Sequence, residues 1–161
     1  MATPTYDLLA STTLTTAVTN LTFSSIPQTH GDLVIVTSGT FGGGSGISFQ
    51  LNDDTGSNYS MVATGGNPYN TFSNTDTSFR LAYYTISGQS VCIGQLMNYS
   101  NTTQHKTMLA RGSSATTSVQ MIASRWASTA AVTKIKIINA AGENFSVGHT
   151  FNIYGIAKTV V

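Results

Sequence analysis

Short segments rich in β-branched and aromatic residues recur along this chain between clusters of Gly, Asn, Asp and Ser. Such a pattern is typical of a sandwich or barrel with many brief antiparallel strands, and it leaves little room for helices. We therefore predict an all-β fold, an antiparallel β-sandwich of about nine or ten short strands. The eleven candidate segments for these strands are residues 8–14, 17–23, 33–37, 47–52, 59–63, 79–86, 90–98, 107–111, 119–127, 132–139 and 150–158.

Alternation within several of these segments indicates which side chains face the core. Ile47, Phe49 and Leu51 share one parity, and Trp126 shares the parity of Ile122. Because successive side chains of a strand point to opposite faces, we expect Phe49 and Trp126 to be buried. In the run KIKII the lysines at 134 and 136 alternate with isoleucines, which predicts one solvated face and one packed face.

Two glycine-rich stretches are predicted to be loops. Residues 39–46, within SGTFGGGSG, are expected to form a flexible surface connection. Residues 64–78 contain two glycines and a proline around Tyr69 and Phe72, and their length suggests a functional loop. We take residues 64–78 as the best candidate contact loop.

Composition narrows the classes of partner. Of 161 residues only 8% are charged and the net charge is +1, so no broad field would attract nucleic acid or anionic lipid. The chain holds 26 Thr, 19 Ser and 11 Asn, and its one cysteine excludes an internal disulfide framework.

We predict one domain over residues 1–161 with short terminal arms at 1–6 and 158–161. We find no signal peptide or membrane span, and we expect synthesis in the cytoplasm.

The motifs of common enzymes and cofactor sites are missing from the sequence. Ser45 lies in GGGSGI, which lacks the G-x-S-x-G spacing, and no phosphate-binding glycine loop occurs. The histidines at 30, 105 and 149 stand apart from one another. We therefore predict no catalytic residue, no metal, no cofactor and no enzymatic activity. Asp53 and Asp54 leave a weak calcium site as an alternative to an ordinary hydrogen-bonded turn, the favoured interpretation.

Two further site hypotheses follow from residue types. Tyrosines among amides and hydroxyls suit a sugar-binding surface, and the candidates are Tyr59, Tyr69, Tyr83, Tyr84 and Tyr99. A glycoside hydrolase would need two carboxylic acids a few ångströms apart. Glu143, the one glutamate, lies in a predicted turn, so hydrolysis remains a third and weaker alternative.

Several strings of the chain resemble a family of small structural proteins of tailed bacteriophages, including phages of aquatic bacteria. They are YDLLASTTL, VTNLTFSSIP with GDLVIV after it, NDDTGSNYS and the closing FSVGHTFNIYGI. The resemblance implies a β-sandwich of jelly-roll type, and it implies a virion component: a capsid decoration (cement) protein or a piece of a tail fibre. It carries over no catalytic residue.

Under this resemblance we expect a decoration protein on the capsid exterior, made in the bacterial cytoplasm. It would bind the major capsid protein, as a homotrimer, and stabilise contacts between capsid subunits. Tyr6, Val160 and Val161 are candidate contacts because they lie in the predicted terminal arms, and Tyr69 and Phe72 because they lie in the predicted contact loop. The alternative is a tail-fibre or receptor-binding module that recognises a host glycan through residues 64–78.

Overall fold

The computed structural model describes residues 4–65, 69–115 and 119–158, with the side chains of 41–45, 69–71 and 83–87 excepted. The described ranges contain strands and turns, and no helix in them is long and apolar enough to cross a membrane. The strands are β1 (Tyr6–Thr13), β2 (Asn20–Phe23), β3 (Asp32–Leu51), β4 (Tyr59–Gly65), β5 (Tyr69–Asp76), β6 (Phe79–Met97), β7 (Lys106–Ser114), β8 (Val119–Trp126), β9 (Ile135–Asn139) and β10 (Thr150–Ile156).

Two long strands, β3 and β6, pair with each other through most of their length and contribute to both layers of a sandwich. One layer has eight strands in the order β1-β10-β3-β6-β7-β8-β4-β5. The other has the order β2-β9-β3-β6 and uses the second half of β3 and the first half of β6. Every pairing is antiparallel, which confirms the predicted all-β antiparallel sandwich. Because β3 and β6 count in both sheets, the layers hold more strand positions than the nine or ten predicted.

The glycine-rich stretch is the corner where β3 passes from one sheet to the other. The prediction of a flexible connection at residues 39–46 is wrong, since β3 runs without interruption from Asp32 to Leu51. Its register against β6 shifts between Gly42 and Ser45 and twice more before Ser48. Glycines permit such bulges and sharp bends within a strand, so the composition typical of a loop here serves a strand that turns a corner.

Residues 64–65 and 69–76 belong to two paired strands, β4 and β5, at the edge of the eight-stranded sheet. Gly65 ends β4 and Tyr69 begins β5, and the two strands pair from Tyr59 opposite Asp76 to Gly65 opposite Tyr69. The predicted contact loop is therefore wrong for the described part, and residues 66–68 lie outside it. Thr, Asn and Ser dominate β5 because it is the edge of the eight-stranded sheet and pairs on one side only.

The core lies between the two sheets. Phe49 and Trp126 are almost completely buried there, as predicted, and Lys136 lies between buried isoleucines on β9. Gly94, in the second half of β6, lies close to Leu81 in the first half: a β-carbon at 94 would come within 2.6 Å of Leu81 Cδ1. The two halves of β6 thus face each other across the core, and the absence of a side chain at Gly94 makes room for Leu81.

Candidate functional site

The outward side of the eight-stranded sheet, here called the outer face, is the most distinctive surface of the described chain. Strand β7 turns Met108 and Ala110 toward the core and leaves Leu109 and Arg111 exposed. Strand β8 follows the same alternation, with Ile122 inside and Met121 outside. Because side chains alternate along each strand, the sheet register decides which outward residues lie next to one another.

One row of directly paired residues crosses the outer face through all eight strands, and we call it the central row. Seven of its members are apolar or aromatic, and the eighth is Gln95, whose Nε2 donates to Asp32 Oδ2 at 2.8 Å. Cross-strand neighbours of this kind contact each other, so the row forms a continuous strip. In order across the sheet it comprises Leu8, Tyr154, Val34, Gln95, Leu109, Ala123, Val62 and Phe72.

Several members of the central row are exposed to an extent unusual for large apolar side chains. Phe72 is 68% exposed, Leu8 58% and Leu109 52%. Val119 and Met121 add exposed apolar surface on the same face of β8. Contiguous apolar patches beyond a few hundred Å² are rare on monomeric proteins and mark interaction sites when they occur. The exposed apolar side chains on β1, β4, β5, β7 and β8 make the outer face a candidate interaction site.

Two shallow grooves on the outer face share Leu109. The first has a volume of about 440 Å³ and lies toward β1, between tyrosines and aliphatic side chains. The second has a volume of about 360 Å³ and lies toward β5. Arg111 lines the first groove and Arg125 lines the second. The other residues that line only the first groove are Tyr6, Val34, Val36, Ile93, Gln95, Ala110, Met121 and Tyr154. Those that line only the second groove include Val62, Phe72, Met97 and Ala123.

Charge on the outer face is positive. Arg111 and Arg125 are exposed, and neither takes part in the two ion pairs of the described residues, which are His30 with Asp7 and Lys134 with Asp53. Asp32, at the border of this face, accepts hydrogen bonds from Gln95 and from the backbone of Asn98. The grooves therefore combine apolar walls with an available cation.

The predicted contact residues reach this face in part. Phe72 and Tyr6 lie on it near opposite edges, in β5 and β1. Tyr69 pairs with Gly65 at the edge of the eight-stranded sheet, and its side chain lies outside the description. Val160 and Val161 also lie outside the described residues. The structure thus brings two of the five candidates to the outer face.

The centre of the outer face was missed by the sequence analysis. A usable signal exists in the segments TMLAR and VQMIAS, where apolar residues occupy both parities of one strand. A strand with one solvated face typically shows apolar residues on one parity only, so these segments depart from the pattern of such a strand. Leu109 and Met121 carry the signal.

The tyrosines proposed for sugar binding do not form a described surface. Tyr59 and Tyr99 are buried, which contradicts that role for both. The Tyr59 hydroxyl donates to the Asp54 carbonyl, burial raises its pKa to about 12, and the Tyr99 hydroxyl donates to the Pro27 carbonyl. Both are instead structural hydrogen-bond donors in the core. The side chains of Tyr69, Tyr83 and Tyr84 lie outside the description.

The Asp53–Asp54 turn uses its carboxylates on protein partners. Asp54 Oδ2 accepts from Trp126 Nε1 at 2.6 Å, and its Oδ1 accepts from the Gly56 amide at 2.8 Å. Partial burial raises the pKa of Asp54, but the hydrogen bonds from Trp126, Asn58 and Gly56 outweigh it, so the pKa lies below its usual value. Asp53 instead pairs with Lys134 at 2.7 Å. The described residues contain no cluster of three potential metal ligands, and the geometry is that of a hydrogen-bonded turn.

Replacing Asp54 by Asn tests this turn. Each carboxylate oxygen accepts two hydrogen bonds, so an amide nitrogen in either place faces donors and loses them. We expect D54N to lower the free energy of unfolding by about 1–3 kcal/mol. The matched control D53N disrupts a surface ion pair and should cost less than about 1 kcal/mol. Urea unfolding followed by fluorescence of Trp126, the one tryptophan, measures both, and equal losses would contradict this account.

Two of the three histidines have structural roles. His30 Nε2 lies 2.9 Å from Asp7 Oδ2, its Nδ1 lies 3.0 Å from the hydroxyl of Thr29, and its ring packs directly over Gly155. This contact ties β1 to the segment before β3. The sequence analysis treated His30 as isolated, because nothing in the local sequence places Asp7 beside it.

His149 is completely buried in an aromatic cluster. Its ring stacks on Phe151 at a centroid distance of 4.6 Å and meets Phe145 edge-on at 5.4 Å. Gly39 lies against it, and a β-carbon at 39 would come within 2.3 Å of the ring. Burial lowers the pKa of His149 to about 4, because the imidazolium would lose its hydration.

Acid should therefore destabilise the fold through His149. The unfolded chain binds a proton near pH 6.5 and the folded chain only near pH 4, so the unfolded state holds more protons between these values. The free energy of unfolding should fall by up to roughly 3 kcal/mol as pH drops through this window. H149F should flatten the dependence, whereas H105Q, at an exposed position, should leave it unchanged. An unaltered slope in H149F, measured by urea unfolding from pH 4 to 7, would contradict this.

Comparison with known protein families and curated proteins finds no relative of this chain. No protein-family model matches the chain, and no curated protein matches it. The outer face and its chemistry are therefore the basis for inferring a function.

Proposed function

We propose that this chain is a structural assembly protein that works by docking its outer face on another protein surface. In its specific form, the protein is a virion component of a tailed bacteriophage, a decoration protein that covers contacts between major capsid proteins. The observation that carries the proposal is the central row, which runs across all eight strands with one polar member and has four large apolar side chains exposed, those of Leu8, Leu109, Val62 and Phe72.

The size of the outer face supports docking of a whole protein surface. Eight strands at about 4.8 Å spacing and three outward positions along each strand span roughly 700 Å². This approaches the roughly 800 Å² that one partner contributes to a standard protein interface. At about 25 cal/mol per Å² of apolar area, burial would offset the costs of association at each site.

Other features of the chain support a role as a structural subunit that acts in many copies. The sandwich is held by long paired strands and a continuous core, so the outer face is presented on a rigid support. The low charge and abundance of Thr, Ser and Asn fit a protein whose edges are sheltered by neighbouring subunits, as expected for the phage family that the sequence resembles. The homotrimer and the contacts at Tyr69, Val160 and Val161 stay predictions of that resemblance.

Particle imaging and heating test the proposed function. We expect hundreds of copies over the head of purified particles, and we expect stripped particles to release DNA at a lower temperature than decorated ones. Equal release temperatures would contradict a stabilising role. A few copies at the tail end would favour the receptor-binding alternative, and absence from particles would reject both.

A further inference from the structure

We infer that the outer face binds a protein surface whose apolar strip is flanked by carboxylates, with Arg111 and Arg125 as the two cationic contacts. This inference deepens the proposed function and rests on it, since it names the chemistry of the partner. The observation behind it is that each of the two grooves has apolar walls and its own arginine, and that Leu109 forms the ridge between them.

The register of the sheet sets the spacing of the two arginines. Arg111 follows Leu109 by two residues on β7, and Arg125 follows Ala123 by two residues on the antiparallel strand β8. Leu109 and Ala123 are paired in the central row, so the arginines lie on opposite sides of it. Four residues along the strands and one strand across separate their α-carbons by about 14 Å.

Burial of these arginines requires acidic partners. An apolar partner that covered the central row would also remove Arg111 and Arg125 from water, and an unpaired buried charge costs several kcal/mol. Asp32, the acid at the border of the face, already accepts from Gln95 and Asn98. The compensating carboxylates must therefore come from the partner, where Arg can pair with them in a bidentate geometry.

The same charges disfavour a second copy of this chain as the occupant. A face-to-face dimer would bring the outer face against itself, with two arginines from each copy in the interface and one acid, Asp32 at the border, to set against them; Asp32 accepts from Gln95 and Asn98 and takes part in neither ion pair of the described residues. Like charges at an interface suppress that pairing. A heterologous, acid-flanked partner fits better.

A synthetic peptide serves as the probe. We choose an acetylated seven-residue strand peptide with leucine at its fourth position, glutamate at its second and sixth, and threonine or serine elsewhere. Side chains four residues apart in a strand lie on one face about 13 Å apart, which matches the arginines. In NMR titrations of the labelled protein, this peptide should shift the amides of Leu109, Arg111, Ala123 and Arg125. A counterpart with glutamine in place of glutamate should bind about tenfold more weakly.

Matched variants assign the charge and the apolar contributions. The double variant R111Q/R125Q should bind the glutamate peptide about tenfold more weakly and lose the discrimination, whereas K136Q/K158Q removes the same charge elsewhere and should keep it. L109T should weaken both peptides, and V147T, at an exposed apolar position outside the outer face, should weaken neither. The amide spectra report that each variant is folded.

Three results would overturn the inference: equal affinity for the two peptides, shifts confined to other surfaces, or self-association of the free protein that R111Q/R125Q abolishes. A failure of the proposed function can be distinguished from a failure of this inference. If the chain is absent from particles but the glutamate peptide binds as described, the surface assignment stands and the virion role does not. If the chain decorates particles and R111Q/R125Q decorates them equally, the virion role stands and the arginine contacts do not.

Discussion

Pairing between β3 and β6 is the constraint on which the rest of the structure depends. Because these two strands bend together, each contributes one half to the eight-stranded sheet and one half to the smaller sheet. The core is closed at that corner by continuous backbone, and Gly94 and Leu81, from the two halves of β6, approach closely across it. The bend requires small residues, which is the physical reason for the glycine-rich stretch.

The unequal size of the two sheets leaves exposed the surface on which the proposed function depends. The smaller sheet covers the inner side of the larger one, so the inner side chains are buried, while several large apolar side chains of the outer face stay exposed. A sandwich that served only its own stability would carry polar side chains there. Leu109, Val62 and Phe72 instead leave apolar area exposed, which costs free energy in the monomer and is recovered when the face is covered.

The sequence predicted the class of fold because alternation survives wherever one face is buried. Phe49 and Trp126 were assigned to the core on parity alone, and both are there. The corner of β3 and the pairing of β4 and β5 were not predicted, since glycine in a bent strand and Thr, Asn and Ser in an edge strand have the composition of loops. Composition reports local preference, and here strand pairing overrides it.

The candidate site was less accessible to sequence analysis than the fold. Tyr6 and Phe72 were singled out, but the central row joins eight strands that are distant in the chain, and only the register shows that Leu8 and Phe72 end the same row. The pairing of His30 with Asp7 is long-range in the same way. The available signal was the presence of apolar residues on both parities of β7 and β8. To use it, one must ask what covers the second face of these strands.

The central claim is that the outer face is buried in the working assembly. Oxidative footprinting of Met121 tests it most directly, because this side chain lies on the face beside the central row and is 55% exposed in the free chain. The account predicts that Met121 is oxidised much more slowly in the assembled particle than in the free protein, while Val147, exposed outside the face, reacts at similar rates in both. Equal oxidation of Met121 in the free and assembled states would contradict it.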